Sequence, residues 1–258
     1  MKEKKQMKKG LKAFLITLAA FVAVALIIFL TVFILAKQKK VFINKWFVDE
    51  QNSTIGVDVS AYQADIDMNR LKEQNIEFIY IKATEGSTIQ DERFAANWEN
   101  AKNAALVAGA YHFFSYDSPG KTQAENFIKT VGTDIEGRLL PVVDVEYYGD
   151  KEQNPPDKAD VVRELKVFLE LLEKEYGVKP MIYTRSEIYD NYLKGEFDGY
   201  KKWISSFYTP ISWNYQDEWY IWQYLNHGEL EGYSGGEQYI DLNVLNKDKS
   251  LEELVVKF

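Results

Sequence analysis

The chain has no cysteine and only two histidines, His112 and His227. Without thiols there can be no disulfide, no thiolate nucleophile, no Cys-ligated zinc and no iron–sulfur cluster. Two histidines leave little material for a His-rich metal site, so neither a metal nor another cofactor is expected. Net positive charge is also confined to one region. Residues 1–40 hold nine lysines against Glu3, a net +8, so the rest of the chain must carry −16 to give the total of −8. A domain that acidic repels phosphate backbones, which excludes nucleic acid as a partner class. The six Trp and 17 Tyr suit either a core or stacking on sugar rings.

Residues 13–36 contain no charged side chain. As a helix rising about 1.5 Å per residue, they extend roughly 36 Å, enough to cross a hydrocarbon core of about 30 Å. A cleaved signal peptide with Ala23-Val24-Ala25 as its small-residue site is disfavoured, because the apolar run continues eleven residues beyond Ala25. Lys2, Lys4, Lys5, Lys8, Lys9 and Lys12 precede the span, and Lys37, Lys39, Lys40 and Lys45 come after it. That bias favours an internal N-terminus. The expected organisation is a cytoplasmic basic tail at 1–12, a transmembrane helix at 13–36, a linker at 37–53 with a reach of about 50 Å, and one globular domain at 54–258.

Within that domain, strand-like runs fall at 55–59, 78–82, 106–113, 140–145, 180–184, 203–207, 219–224 and 238–242. Helical periodicity follows the first five, at 67–74, 91–105, 118–131, 156–176 and 186–193. The gaps after the sixth and seventh runs are too short and turn-rich for crossover helices. The expected fold is α/β: an irregular eight-stranded β/α barrel of five β/α units followed by three strands. Active sites of such barrels lie at the C-terminal strand ends. The alternation is informative there. Ile55, Val57 and Val59 share one face of the first strand while Gly56, Asp58 and Ser60 share the other, and Val143 and Val145 oppose Val142, Asp144 and Glu146. Asp241 ends the eighth run.

Glycoside hydrolysis needs one carboxyl that stays protonated long enough to donate to the leaving oxygen, and a second group to stabilise the developing oxocarbenium ion. Asp144 and Glu146 offer both on one strand face, about 6.5 to 7 Å apart along the backbone. Alone, Asp-x-Glu is also what a solvated strand end presents. It does not stand alone here. Gly56-Val57-Asp58-Val59-Ser60 with Tyr62-Gln63, Phe78-Ile79-Tyr80-Ile81-Lys82-Ala83-Thr84-Glu85-Gly86, Gly109-Ala110-Tyr111-His112-Phe113, Pro141-Val142-Val143-Asp144-Val145-Glu146, Pro180-Met181-Ile182-Tyr183-Thr184, Trp222-Gln223-Tyr224 and Ile240-Asp241-Leu242-Asn243 occur in that order.

In these segments the chain resembles glycoside hydrolase family 25, the lysozymes of the bacterial and phage muramidase type, from about residue 54 to 245. The resemblance implies that Glu146 is the general acid/base, that Asp144 assists the intermediate, and that Asp58 and Asp241 are the other two active-site acids. It places Lys82 and Glu85 in the cleft, as a functional ion pair or a structural one below the mouth. Tyr111, Tyr183 and Trp222 become candidates for sugar stacking or core packing, and Gln63 a candidate substrate contact. Two departures stand out: Met68 where Trp is frequent, and Ser205-Ser206 where the sixth strand often reads Trp-Ile-Ala. The implied reaction is hydrolysis of β-1,4 bonds between N-acetylmuramic acid and N-acetylglucosamine in peptidoglycan. With the span, this implies a single-pass protein of the bacterial plasma membrane whose catalytic domain is external, remodelling wall locally, with an envelope-spanning machine as a candidate partner.

The alternatives are a catalytically silent saccharide-binding scaffold, against which the four acids argue, and a chitinase-like hydrolase. Two further motifs are read as structural. Gly232-Tyr233-Ser234-Gly235-Gly236 matches a G-x-S-x-G nucleophile pattern, but no His follows residue 227. Residues 65–69 begin like an EF-hand loop, but Arg70 stands where that loop needs Gly, so a helix start is expected.

Overall fold

The computed structural model describes residues 2–38 and 40–258; Met1 of the basic tail and Lys39 of the expected linker lie outside them. Two compact units result, one ending at Ile43 and one spanning Asn44–Phe258. The first is dominated by α1 (Lys2–Lys37). Its stretch Lys9–Ala36, with mean hydropathy 3.1, is long and apolar enough to cross a membrane. The hydroxyls of Thr17 and Thr31 are satisfied within the helix, donating to the carbonyls of Ala13 (3.0 Å) and Ile27 (2.8 Å).

The second unit is a closed barrel of eight strands: β1 (Ile55–Val59), β2 (Ile76–Glu85), β3 (Val107–Phe113), β4 (Val142–Val145), β5 (Met181–Arg185), β6 (Lys202–Ser205), β7 (Ile221–Gly228) and β8 (Ile240–Leu245). Strands β1 to β7 pair in parallel in sequence order. The last strand is antiparallel to both β7 and β1 and closes the cylinder. Helices α2 (Met68–Glu73), α3 (Phe94–Asn103), α4 (Gly120–Val131) and α5 (Lys158–Tyr176) follow the first four strands. After β5 a short turn at Ser186–Ile188 runs into a π-type turn at Tyr189–Leu193. Between β6 and β7, only Ile211–Asn214 is helical among the described residues. This is the anticipated barrel of five β/α units and three strands.

Local chemistry explains the helix ends. Asp157 accepts from the amides of Ala159 and Asp160 to start α5, and Gly177, at φ 65, stops it. Asp67 caps α2 in the same way, so the stretch resembling a calcium loop is a helix start. Glycine shapes the interior at two points. A Cβ on Gly56 or Gly109 would lie 2.3 Å from the ring of Phe78 or Tyr80 respectively. Their absence of a side chain lets those rings fill the lumen, where Tyr80 and Tyr183 pack on Trp203 with centroids 4.9 and 4.8 Å away. The result is a packed floor rather than a pore.

Two boundaries differ from the sequence expectation. The eighth strand begins at Ile240, so Asp241 lies near its start rather than its end. Because β8 is antiparallel, that start is at the same barrel end as the C-termini of β1 to β7, and Asp241 pairs with Asp58. The folded unit also begins ten residues before position 54. Asn44 is fully buried, and its amide donates to the carbonyls of Ser206 and Tyr224. The Tyr224 hydroxyl donates to Glu50 at 2.8 Å. Residues 44–50 thus bind the outer side of β6 and β7, where crossover helices are missing.

Candidate active site

The parity of the strands decides which side chains meet at the mouth. Asp58 on β1, Tyr111 on β3, Asp144 on β4, Tyr183 on β5, Gln223 on β7 and Asp241 on β8 all face inward and, with Glu146 just past β4, line one cavity of about 110 Å³. Trp203 and Val142 form its floor. The four acids predicted from sequence are therefore brought together, along with two of the three candidate stacking aromatics.

A polar chain fixes one side of this cavity. The Trp203 indole donates to Asn243 Oδ1 (2.8 Å), and Asn243 donates from its amide to Asp58 Oδ2 (2.8 Å). From the other direction, the Tyr183 hydroxyl donates to Gln223 Oε1 (2.6 Å), and Gln223 donates to the same Asp58 oxygen (2.7 Å). Asp58 is thus oriented rigidly by two amides. Asp144 differs: its Oδ1 is buried without a hydrogen-bond partner among the described residues.

Burial raises the proton affinity of every acid in the cavity. It pushes Asp58 up to about 6, against the opposing hydrogen bonds from Asn243 and Gln223. Glu146 rises to about 7, chiefly by burial; the positive charge of Arg185 opposes this, the nearby Asp58 adds to it, and the polar hydroxyl of Tyr183 counters it. Asp144 is held well above the usual carboxylate range by burial and by the charges of Glu146 and Asp58, with Lys82 pulling the other way. Asp241 is raised by burial and by Asp58. Four carboxyls confined together cannot all ionise near neutral pH, so the cavity retains protons where an exposed cluster would have none.

The remaining sequence candidates are distributed differently. Lys82 Nζ and Glu85 Oε2 form an ion pair at 2.7 Å at the end of β2, with the ammonium 5.1 Å from the centroid of Phe113. Trp222 does not reach the cavity. It lies on the opposite face of β7 from Gln223, buried, with its indole donating to the Ser206 carbonyl at 3.0 Å and its ring against Tyr224. Gln63 does not reach it either: its Oε1 accepts the amide of Ser60 (2.9 Å) and closes the turn at Ala61–Gln63. Gly235 packs on that turn so closely that a Cβ would sit 1.9 Å from the Tyr62 carbonyl. The G-x-S-x-G match is therefore a tight turn. His112 is a core residue, bonded to Thr84 (2.7 Å) and Gln123 (3.0 Å) and stacked on Phe168, and burial lowers its pKa to about 4.

Sequence reasoning passed over Gln223, Asn243 and Trp203, although the first two lie inside quoted segments. The signal was available: parity along β7 selects Gln223 and rejects Trp222 once the lumen side is known. It also passed over a tyrosine wall. Tyr116 stacks on Tyr148 (5.7 Å, 12° between planes) and lies near Tyr147 and Tyr192, and the charges of Asp144 and Glu146 reach its hydroxyl.

Comparison with known proteins gives a consistent result. The model of glycosyl hydrolases family 25 matches residues 57–233. The chain is 32% identical over 204 residues to the uncharacterized protein YegX of Escherichia coli K12, covering 77% of this chain and 71% of that protein. It is 30% identical over 207 residues to lysozyme M1 of Streptomyces globisporus, covering 74% and 67%. Among solved structures, a family 25 glycosyl hydrolase from Bacillus anthracis superposes with a TM-score of 0.72 at 47% identity, covering 78% of this chain and 93% of that one. The bacterial lysozyme of Streptomyces coelicolor gives 0.66 at 28% identity, covering 79% and 95%. The chain belongs to glycosyl hydrolases family 25 and is a glycoside hydrolase.

Proposed function

We propose that the protein is a membrane-anchored muramidase that hydrolyses the β-1,4 bond between N-acetylmuramic acid and N-acetylglucosamine in peptidoglycan. The observation that carries this reading is the confinement of Asp58, Asp144, Glu146 and Asp241 in one cavity at the barrel mouth. Glu146, with its proton affinity raised to about 7, is suited to donate to the leaving oxygen and then to activate water. The buried, unpartnered Asp144 Oδ1 is an acceptor suited to the N–H of a 2-acetamido group. That group's own carbonyl then attacks the anomeric carbon, Asp144 stabilises the positive charge that develops on nitrogen, and the anomeric configuration is retained. Asp58 and Asp241 orient the substrate and tune the pair. Tyr111 and Tyr183 inside the cavity, and the tyrosine wall beside it, provide faces for sugar rings. The apolar helix Lys9–Ala36 suits a single pass with an internal N-terminus, confining cleavage to wall close to the membrane, for local remodelling or beside an envelope-spanning machine.

Turnover on purified peptidoglycan against chitin oligosaccharides tests the substrate class. Cleavage of the former alone is expected, turnover on chitin alone would favour a chitinase-like enzyme, and binding without turnover a silent scaffold. Glu146→Gln should lower kcat by about 10² to 10⁴-fold while leaving the fold intact; a folded variant with near wild-type turnover would remove the assignment. Proton NMR of the first product should show the β-anomer, and initial α-anomer would mean inversion, with an acid acting as base on water instead.

A further inference from the structure

Five arginines occur in the chain, and four are engaged among the described residues. Arg70, Arg93 and Arg163 pair with acids, and Arg138 lies over the Trp98 ring at 4.0 Å. Arg185 has no ion pair among the described residues. It is the next residue after Tyr183 on the inward face of β5, at the barrel mouth and exposed, beside Ser205 on β6. Next to it is a cavity of about 350 Å³, separate from the one that holds the four acids and lined by Arg185, Ser186 and Ser205. The hydroxyl of Ser186 is buried there without a hydrogen-bond partner among the described residues. Ser205 belongs to the pair that departs from the Trp-Ile-Ala pattern, so this wall is polar where an alanine would leave it apolar. Two acids also border the cavity: Asp190, within 3.7 Å of Lys194, and Glu187, which is exposed and makes no ion pair with Arg185.

An unpaired guanidinium at the rim of an otherwise acidic mouth is out of place for a neutral glycan. It fits an anionic one, because its planar fork matches a carboxylate with two parallel hydrogen bonds. On the muramidase reading, the substrate carries such a group on its muramyl residue: the lactyl acid in peptide-free glycan, or an acidic residue of the stem peptide when the lactyl acid is amide-linked. We infer that Arg185, with the Ser186 hydroxyl, forms a carboxylate subsite that selects substrates by their muramyl substituent. The inference rests on the peptidoglycan reading, and it adds what a neutral chitin-type chain would lack.

Binding is measured with the full chain in a Glu146→Gln background, so that no turnover is needed. The probes are peptide-free glycan and peptide-bearing peptidoglycan fragments, each native and with carboxyls amidated. Amidation should weaken binding about tenfold or more, the scale of a hydrogen bond to a charged group. Adding Arg185→Gln should abolish the discrimination by weakening native binding to the amidated level. Arg185→Lys, which keeps the charge without the fork, should retain part of it. The probe that responds, peptide-free or peptide-bearing, identifies which carboxylate is read. The proposal is overturned if the Glu146→Gln chain binds native and amidated probes alike, or if Arg185→Gln weakens both equally, as it would if Arg185 contributed only packing or neutral hydrogen bonds at the rim. Absence of turnover by the wild type would refute the hydrolytic reading instead, and leave carboxylate-dependent binding to decide the role of Arg185.

Discussion

At Glu146, chemistry and stability pull in opposite directions. Its carboxyl titrates near 7 in the folded chain, against about 4.5 in the unfolded one, because burial disfavours the charged form. Between these values the folded state holds a proton that the unfolded state has released, so the wild type loses stability as pH rises through this window and levels off above it. Glu146→Gln has no proton to lose. Its stability relative to wild type should therefore improve by up to about 3 kcal/mol between pH 4 and pH 8, with little difference below pH 4. Chemical denaturation at the two pH values checks this, and a pH-independent difference would mean that burial does not hold the proton on Glu146. The same titration sets the upper limb of activity, and kcat should fall above about pH 7 as the acid ionises.

At the level of elements, much of the barrel could be read from periodicity because each strand of a β/α unit is followed by a helix with a clear apolar stripe. Val161, Leu165, Phe168, Leu169 and Leu172 are all buried on α5, where their spacing placed them. The acids were legible for a similar reason: alternation separates Asp144 from Val143 and Val145 without knowledge of the fold. Three features were not legible. Strand direction leaves no trace in hydropathy, so the reversal of β8 could not be seen, and Asp241 was placed at the wrong end of its strand yet at the right end of the barrel. Trp222 stayed open between sugar stacking and core packing because composition cannot tell the lumen from the outer face, and it is buried on the outer one. Residues 44–50 read as linker because they are short and mixed in polarity, and their role depends on carbonyls of Ser206 and Tyr224 more than 150 positions away. That role is testable. Asn44→Ala removes the donor to two buried carbonyls and should cost about 1 to 3 kcal/mol of stability, seen as a lower thermal midpoint of the detergent-solubilised chain. An unchanged midpoint would return this segment to the status of a tether.

Across the whole molecule, charge and apolarity are segregated along the sequence: nine lysines and an apolar helix within the first 40 residues, and −16 on the other 218. The acidic unit has no electrostatic reason to stay on a membrane whose surface is itself anionic. Any membrane association must therefore come from the first 40 residues, through their apolar helix or through their lysines. This separates two kinds of attachment. A protein held by its lysines is released by high salt, because screening shortens the range of such attraction to a few ångströms, whereas a span of 28 apolar-rich residues is not. The full chain should accordingly sediment with membranes in 1 M salt, and a chain beginning at Asn44 should remain in the supernatant and keep its fold. A chain beginning at Asn52 should also be soluble but less stable, because it lacks Asn44 and Glu50. Protease added outside wall-stripped cells should remove the barrel while sparing the basic tail, in keeping with the lysine bias across the span. Salt extraction of the full chain would refute the anchor, and a protected barrel would reverse the topology while leaving the anchor in place.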